Sequence, residues 1–176
     1  MKKLFLILPV IMSLFSCAPV LRVDLMKTGT FDARLQEIKD NPETYKGQLF
    51  ILGGIIAGTT ATEKGSMIEA LYVPVNSRGY LKWATASHER FLAVFSEKFL
   101  EPLIFSKGRE VTLAGEFVEV RKGRIEEMEY TYPLFEIKEL YLWEERKDYY
   151  YVEPPYPYWN PPYLYWWYEP RWRHRH

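Results

Sequence analysis

The apolar positions of this chain change their spacing several times, and each change marks an element. Phe31, Leu35 and Ile38 recur at helical spacing behind Thr30, which predicts one short helix of about ten residues with Thr30 as its N-cap. Asn41-Pro42 ends that helix, because proline restricts the residue before it. From Gln48 the texture becomes that of strands. Residues 49–57 form a continuous apolar run containing Gly53-Gly54, and glycines inside a strand predict a bulge or sharp bend. Residues 63–66 are turn-like, and Met67, Leu71, Val73 and Val75 then mark a second strand with Pro74 near its edge. A polar connection over residues 76–89 turns at Ser77-Arg78-Gly79. Phe91, Ala93 and Phe95 mark a third strand, whose other face carries Leu92 and Val94. A compact apolar segment with Pro102 follows over residues 99–105.

Val111, Leu113, Gly115 and Phe117 make one stripe, after which the apolar positions move to Val118 and Val120. A shift of one residue predicts a bulge, since the faces of a strand otherwise alternate without interruption. Residues 121–124 are expected to turn the chain. Phe135 and Ile137 then alternate with Glu136 and Lys138, and the phase moves again to Leu140 and Leu142. The expected fold class is mainly β: a small OB-like Greek-key barrel over residues 30–146, with one short N-terminal helix and an irregular aromatic and Pro-rich tail. A β-sandwich is the other architecture these strands allow.

The two flanks differ from this middle. Lys2 and Lys3 precede an uncharged, largely apolar run over residues 4–14. As a helix that run spans about 16 Å, against a bilayer core of about 30 Å, so residues 1–16 read as a secretory signal. The run ends in Leu14-Phe15-Ser16-Cys17, which resembles the bacterial lipobox, with Phe15 departing from the usual small residue. The resemblance implies a diacylglycerol thioether on Cys17, cleavage before it and acylation of the new amino group. Anchoring of that kind is stable where a single acyl chain is marginal. Ala18 in place of Asp implies export to the outer membrane; the domain is expected to face the periplasm, although the residues themselves leave the leaflet open. Residues 17–29 have no periodic pattern and are expected to form the lipidated tether.

At the other end, residues 149–172 hold 8 Tyr, 4 Trp and 6 Pro among 24 residues. Proline at this density blocks helix and sheet interiors and favours extended conformations. Leu164 and Val152 alone cannot build a core there, so residues 147–176 are expected to be an irregular extension. Tyr and Trp favour places with one apolar and one wet side, such as a headgroup layer. Trp166, Trp167, Arg171 and Arg173 are therefore candidate contacts to anionic lipid or lipopolysaccharide.

An ordered set of segments carries a wider resemblance. Pro42-Glu43-Thr44-Tyr45-Lys46-Gly47 leads into Gly53-Gly54-Ile55-Ile56 and is followed by Tyr72-Val73-Pro74-Val75-Asn76-Ser77-Arg78-Gly79. Phe91-Leu92-Ala93, then Gly108-Arg109-Glu110-Val111-Thr112-Leu113-Ala114-Gly115, and Glu139-Leu140-Tyr141-Leu142-Trp143 complete the set. In order and spacing the chain resembles the Slp family of outer-membrane lipoproteins, whose founder is a starvation-inducible lipoprotein. The resemblance covers residues 17 to about 143 and places the tail outside the shared core. It implies outer-membrane attachment, an OB-like domain and no known catalysis, and leaves the molecular role undefined; the role expected here is a structural or stress-related one in the envelope.

Charge and composition narrow the chemistry. The 23 basic and 23 acidic side chains balance. Removing residues 1–16 takes away Lys2 and Lys3 and leaves 21 against 23, or −2. A nucleic-acid partner would call for a basic excess, so none is expected. One cysteine excludes a disulfide framework and a cysteine-based zinc site. His88 reads as a solvated loop residue, and the His174/His176 pair lacks a third ligand nearby, so no metal is expected. Glu126, Glu127 and Glu129 read as a solvated hairpin rather than an acid–base or Ca²⁺ site. No nucleophile elbow or phosphate loop is present, so no enzyme and no cofactor beyond the lipid on Cys17 are expected. The alternative role is a binding module for an envelope glycan such as peptidoglycan, a lipid or a peptide, using Tyr72, Tyr80 and Trp83 on the barrel and the aromatic tail. The sequence leaves the oligomeric state open.

Overall fold

The computed structural model describes residues 18–145 apart from residues 64, 84–87 and 97. The chain divides into two compact units, Met1–Glu145 and Arg146–His176, and the second lies outside the described residues. Within the described residues three short helices, α1 (Val23–Thr28), α2 (Leu35–Asp40) and α3 (Pro42–Tyr45), precede five strands. The strands are β1 (Leu49–Thr62), β2 (Gly65–Val73), β3 (Arg90–Ser96), β4 (Glu110–Ile125) and β5 (Met128–Leu142). They close into a barrel in the order β1-β2-β3-β5-β4, with β3 and β5 parallel and the other neighbours antiparallel. This is the OB-like Greek-key barrel the sequence predicts, and closure leaves none of its strands as a free edge.

β1 makes closure possible because it serves two partners. Leu49 to Ile55 pair with β4, while Gly53 to Thr62 pair with β2. Gly53 and Gly54 lie where the two pairings overlap. A Cβ on Gly53 would stand 2.5 Å from the Val73 carbonyl oxygen, so the neighbouring backbone approaches where only hydrogen fits. Register runs through both glycines, and the irregularity falls further on, between Ile56 and Gly58. The two phase shifts read from the sequence are both real. Val118 is the extra residue on β4 between Phe117 and Glu119, and Lys138 is the extra residue on β5 opposite Ala114 and Gly115.

Phe50, Phe91, Phe117 and Phe135 fill the barrel. Phe135 meets the other three rings at centroid distances of 5.8, 5.9 and 5.6 Å in edge-to-face contacts, the geometry that aromatic quadrupoles favour. Each end of the barrel has its own cover. Leu35 and Ile38 of α2 reach the core at the end where β3 begins, beside the Lys39–Glu89 ion pair. Leu100 closes the opposite end, its amide donating to the buried Ser66 hydroxyl.

Several expectations are corrected. Residues 18–29 are not patternless: α1 forms there, and Leu21 and Met26 are buried against Ile51, Val75 and Ala114 on the outer face of β1 and β4. The continuous apolar run in β1 is the sign of this cover, because a strand with two buried faces does not alternate. Thr30 does not cap a helix; it bridges to Phe50, and α2 starts later, after Arg34. Met67 and Leu71 do mark a strand, and they lie half-buried on its outer side, the inward face of β2 being Ser66, Ile68, Ala70 and Tyr72. Residues 121–124 do not turn the chain, since β4 continues to Ile125 and the turn is at Glu126-Glu127, with Glu126 at φ +55°. Arg121, Lys122 and Arg124 are a solvated strand end whose polarity imitates a loop.

Candidate functional site

The three aromatic residues proposed on the barrel separate in the structure. Tyr72 is 4% exposed, points inward and packs against Phe91 at 6.5 Å, so it is a core residue. Tyr80 and Trp83 are 46% and 37% exposed and belong to the connection after β2. Cys17, Trp166, Trp167, Arg171 and Arg173 lie outside the described residues. His88 is exposed, as expected of a loop histidine.

Tyr80 has aromatic neighbours that the sequence reading did not single out. Its ring lies 5.2 Å from Trp143, which in turn lies 4.9 Å from Tyr141. Tyr141 and Trp143 share a face because they are two residues apart in an extended chain. The signal was present in Tyr141-Leu142-Trp143, but the partner in the distant connection follows only from the fold. Thr112 fixes the arrangement. It is fully buried on β4, its hydroxyl donates to the Gly79 carbonyl at 2.9 Å, and it accepts from the Trp143 indole N–H at 3.0 Å. The turn carrying Tyr80 is set by Asn76, whose side-chain oxygen accepts from the amides of Arg78 and Tyr80. Gly79 supplies the left-handed backbone there, at φ +88°.

The chain enters the domain beside this cluster. The Val20 amide donates to the Arg78 carbonyl at 3.0 Å, and α1 follows. On the other side of Trp143, one guanidinium joins two segments: Arg109 donates from Nη2 to the Trp143 carbonyl at 2.7 Å and from Nη1 to the Ile104 carbonyl at 3.3 Å. The 98–108 loop and the aromatic cluster are thereby adjacent.

The opposite outer face, over β2, β3 and β5, is occupied by the protein's own side chains. Glu69 pairs with Arg90 at 2.7 Å, accepts from the Tyr132 hydroxyl at 3.2 Å, and lies beside a buried patch of Leu92, Tyr132 and Leu134. Burial and the Glu69 charge push Tyr132 up to about 12. The strand 2–3 face that OB barrels commonly offer to ligands is filled here. An open cleft of about 610 Å³ lies further along the β4–β5 hairpin, lined by Lys122, Arg124, Glu129 and Tyr130. Among the described residues no group of three His, Cys, Asp or Glu side chains could hold a metal ion. None of their helices is long and apolar enough to cross a membrane.

Fold and entry geometry together define a small OB-type barrel domain that begins only a few residues after a lipobox-like segment. The chain belongs to the outer membrane lipoprotein Slp family, which it matches over residues 14–172. The match starts at Leu14 and so includes Cys17. It also runs through the aromatic segment, which corrects the expectation that the tail lies outside the family's shared region. An uncharacterized protein of Haemophilus influenzae is 31% identical over 140 residues, covering 80% of this chain and 73% of that protein. Among solved structures, a mitochondrial single-stranded DNA binding protein from S. cerevisiae matches with 11% identity and a TM-score of 0.32, over 57% of this chain and 98% of that one. At that TM-score the likeness supports no inference about ligand.

Proposed function

We propose that the protein is held in the outer membrane by diacylglycerol and N-acyl chains on Cys17 and presents a non-catalytic barrel to the periplasm, with a structural or stress-related envelope role. The observation that carries this reading is the join between motif and fold. The lipobox-like Leu14-Phe15-Ser16-Cys17 lies within the family match, and Val20 is already hydrogen-bonded into the domain. Labelling with radioactive palmitate tests it. Label is expected in the native chain and absent from Cys17→Ala, and equal labelling of both would end the proposal.

A second reading, binding of an envelope glycan or peptide by the barrel, draws on the cleft of about 610 Å³ along the β4–β5 hairpin. Lys122, Arg124 and Glu129 there offer both signs of charge to a polar ligand. Retention of the protein on purified peptidoglycan should drop at least fivefold in a Lys122→Ala/Arg124→Ala double variant. Unchanged retention removes the cleft from consideration. Shortening the chain after Trp143 tests the tail's share in the same way.

A further inference from the structure

We infer that the barrel does not swing freely on its anchor but lies against the bilayer through one patch, formed by the 98–108 loop and the Tyr80, Tyr141 and Trp143 cluster. Three independent features converge on this patch. The first is exposed apolar surface. Phe99, Leu103 and Ile104 are 66%, 86% and 52% exposed within a single loop. Large apolar side chains grouped on a surface mark an interaction site, whereas scattered ones do not.

The second feature is chemistry. Tyr80 and Tyr141 are exposed beside Trp143, and rings with one apolar and one polar side collect at headgroup level. Lys98 and Lys107 flank the apolar residues of the loop and are exposed. Their stems can lie along the acyl boundary while the ammonium groups meet anionic headgroups. Aliphatic tips, an aromatic ring set and flanking lysines suit a lipid surface better than a glycan, which would meet stacked rings without aliphatic tips.

The third feature is reach. Cys17 precedes Val20 by three residues, which span at most about 11 Å of extended chain. Val20 contacts the turn that carries Tyr80: its amide donates to Arg78, and a Cβ on Gly79 would lie 3.1 Å from the Val20 side chain. Arg109 then joins Trp143 to Ile104. A short lipidated segment brings this side of the barrel to the membrane before any other. The β4–β5 turn at Glu126-Glu127 lies at the other end of β5, where Met128 is 14 residue steps from Leu142, about 46 Å along the strand.

This inference rests on lipidation of Cys17, and the experiment separates the two. The full lipoprotein is reconstituted in vesicles of phosphatidylethanolamine and phosphatidylglycerol. Leu103→Cys or Glu127→Cys supplies one free thiol for a nitroxide label, the Cys17 sulfur being a thioether. Both positions are exposed, so the fold tolerates the changes. Collision of the label with lipid-dissolved oxygen is compared with collision by an aqueous nickel chelate. The oxygen-to-nickel ratio is expected to be at least fivefold higher at position 103 than at 127, with the protein floating with the vesicles. Equal ratios in protein that floats overturn the docking and leave the anchor standing. Shielding at 103 that appears only at high protein density overturns it in favour of self-association. Protein that fails to float overturns the anchor, and the docking with it.

Discussion

The two ends of the barrel are closed by short segments that divide their side chains in opposite ways. At one end α2 sends Leu35 and Ile38 fully into the core and leaves polar groups outside, with Arg34 and Glu37 paired on its surface. At the other, the 98–108 loop buries Leu100, half-buries Phe105 and leaves Phe99, Leu103 and Ile104 in solvent. The loop is held by polar bonds at several points. Thr59 donates to the Phe105 carbonyl at 2.7 Å, Gly108 donates to Ile56 at 2.8 Å, and Arg109 clasps Ile104. A cover needed only to keep water from the core would resemble α2. The loop spends apolar side chains where the barrel gains nothing from them, so its exposed half answers to something outside the domain.

The sharpest test of that contrast is stability. Ile38→Ala at the α2 end removes a fully buried side chain and should cost about 2–5 kcal/mol. Leu103→Ala at the other end should change stability by less than about 0.5 kcal/mol. Urea unfolding of the two variants measures the difference, and equal losses would mean that the loop's apolar residues serve the fold after all. Leu100→Ala belongs between them, nearer to Ile38, at about 2–3 kcal/mol. A small effect there would show that the loop covers its end without sealing it.

The clasp is the next step down. Arg109→Ala removes the donors to Ile104 and Trp143 and should cost about 1–2 kcal/mol, with faster amide hydrogen exchange confined to the loop and the end of β5. Exchange in α2 should not change. Exchange that rose equally at both ends would mean that Arg109 supports the whole barrel and that the covers are not independent.

What the sequence made legible follows the same division between local pattern and distant contact. The bulges at Val118 and Lys138 were visible because a one-residue phase shift is a local pattern, and the barrel followed from strands, glycines and turns. The inward face of β2 is not legible in the sequence, because Met67 and Leu71 are more apolar than Ser66 and Ala70; Ala70 suits the crowded interior beside Gly54 and Phe91, and Ser66 accepts from the Leu100 amide. α1 shows no apolar period because, of Val23, Leu25 and Met26 in its six residues, only Met26 is fully buried, and the surface it covers belongs to distant strands. The aromatic cluster joins Tyr80 to Trp143 across more than sixty residues of sequence, and no local spacing announces that. The Arg109 clasp is illegible for the same reason.

Tyr72 offers the smallest and most specific test, because it lies beneath the α2 end and carries a polar atom into it. Its hydroxyl is buried without a well-aligned hydrogen bond among the described residues, and the Ala33 amide lies beside it. Burial, reinforced by the Asp32 charge, pushes its ionisation up to about 12, against about 10 in an unfolded chain. The raised value favours the neutral phenol in the folded state. Its contribution is therefore complete below pH 10, where neither state ionises. Between about pH 10 and 12 the unfolded chain loses the proton and the folded one keeps it, so stability falls by about 1.4 kcal/mol per pH unit for this group. Tyr72→Phe removes this poorly bonded hydroxyl with little change of shape. At neutral pH it should alter stability by less than about 1 kcal/mol, toward greater stability. Between pH 10 and 12 its stability should fall less steeply than that of the native chain, by the equivalent of one proton, with Tyr132 contributing to the slope that remains. A loss above about 1.5 kcal/mol at pH 7 would show that the contact with the Ala33 amide is a strong hydrogen bond in the folded protein. An unchanged alkaline slope would show that water reaches it, and with that the α2 end would no longer be the sealed one.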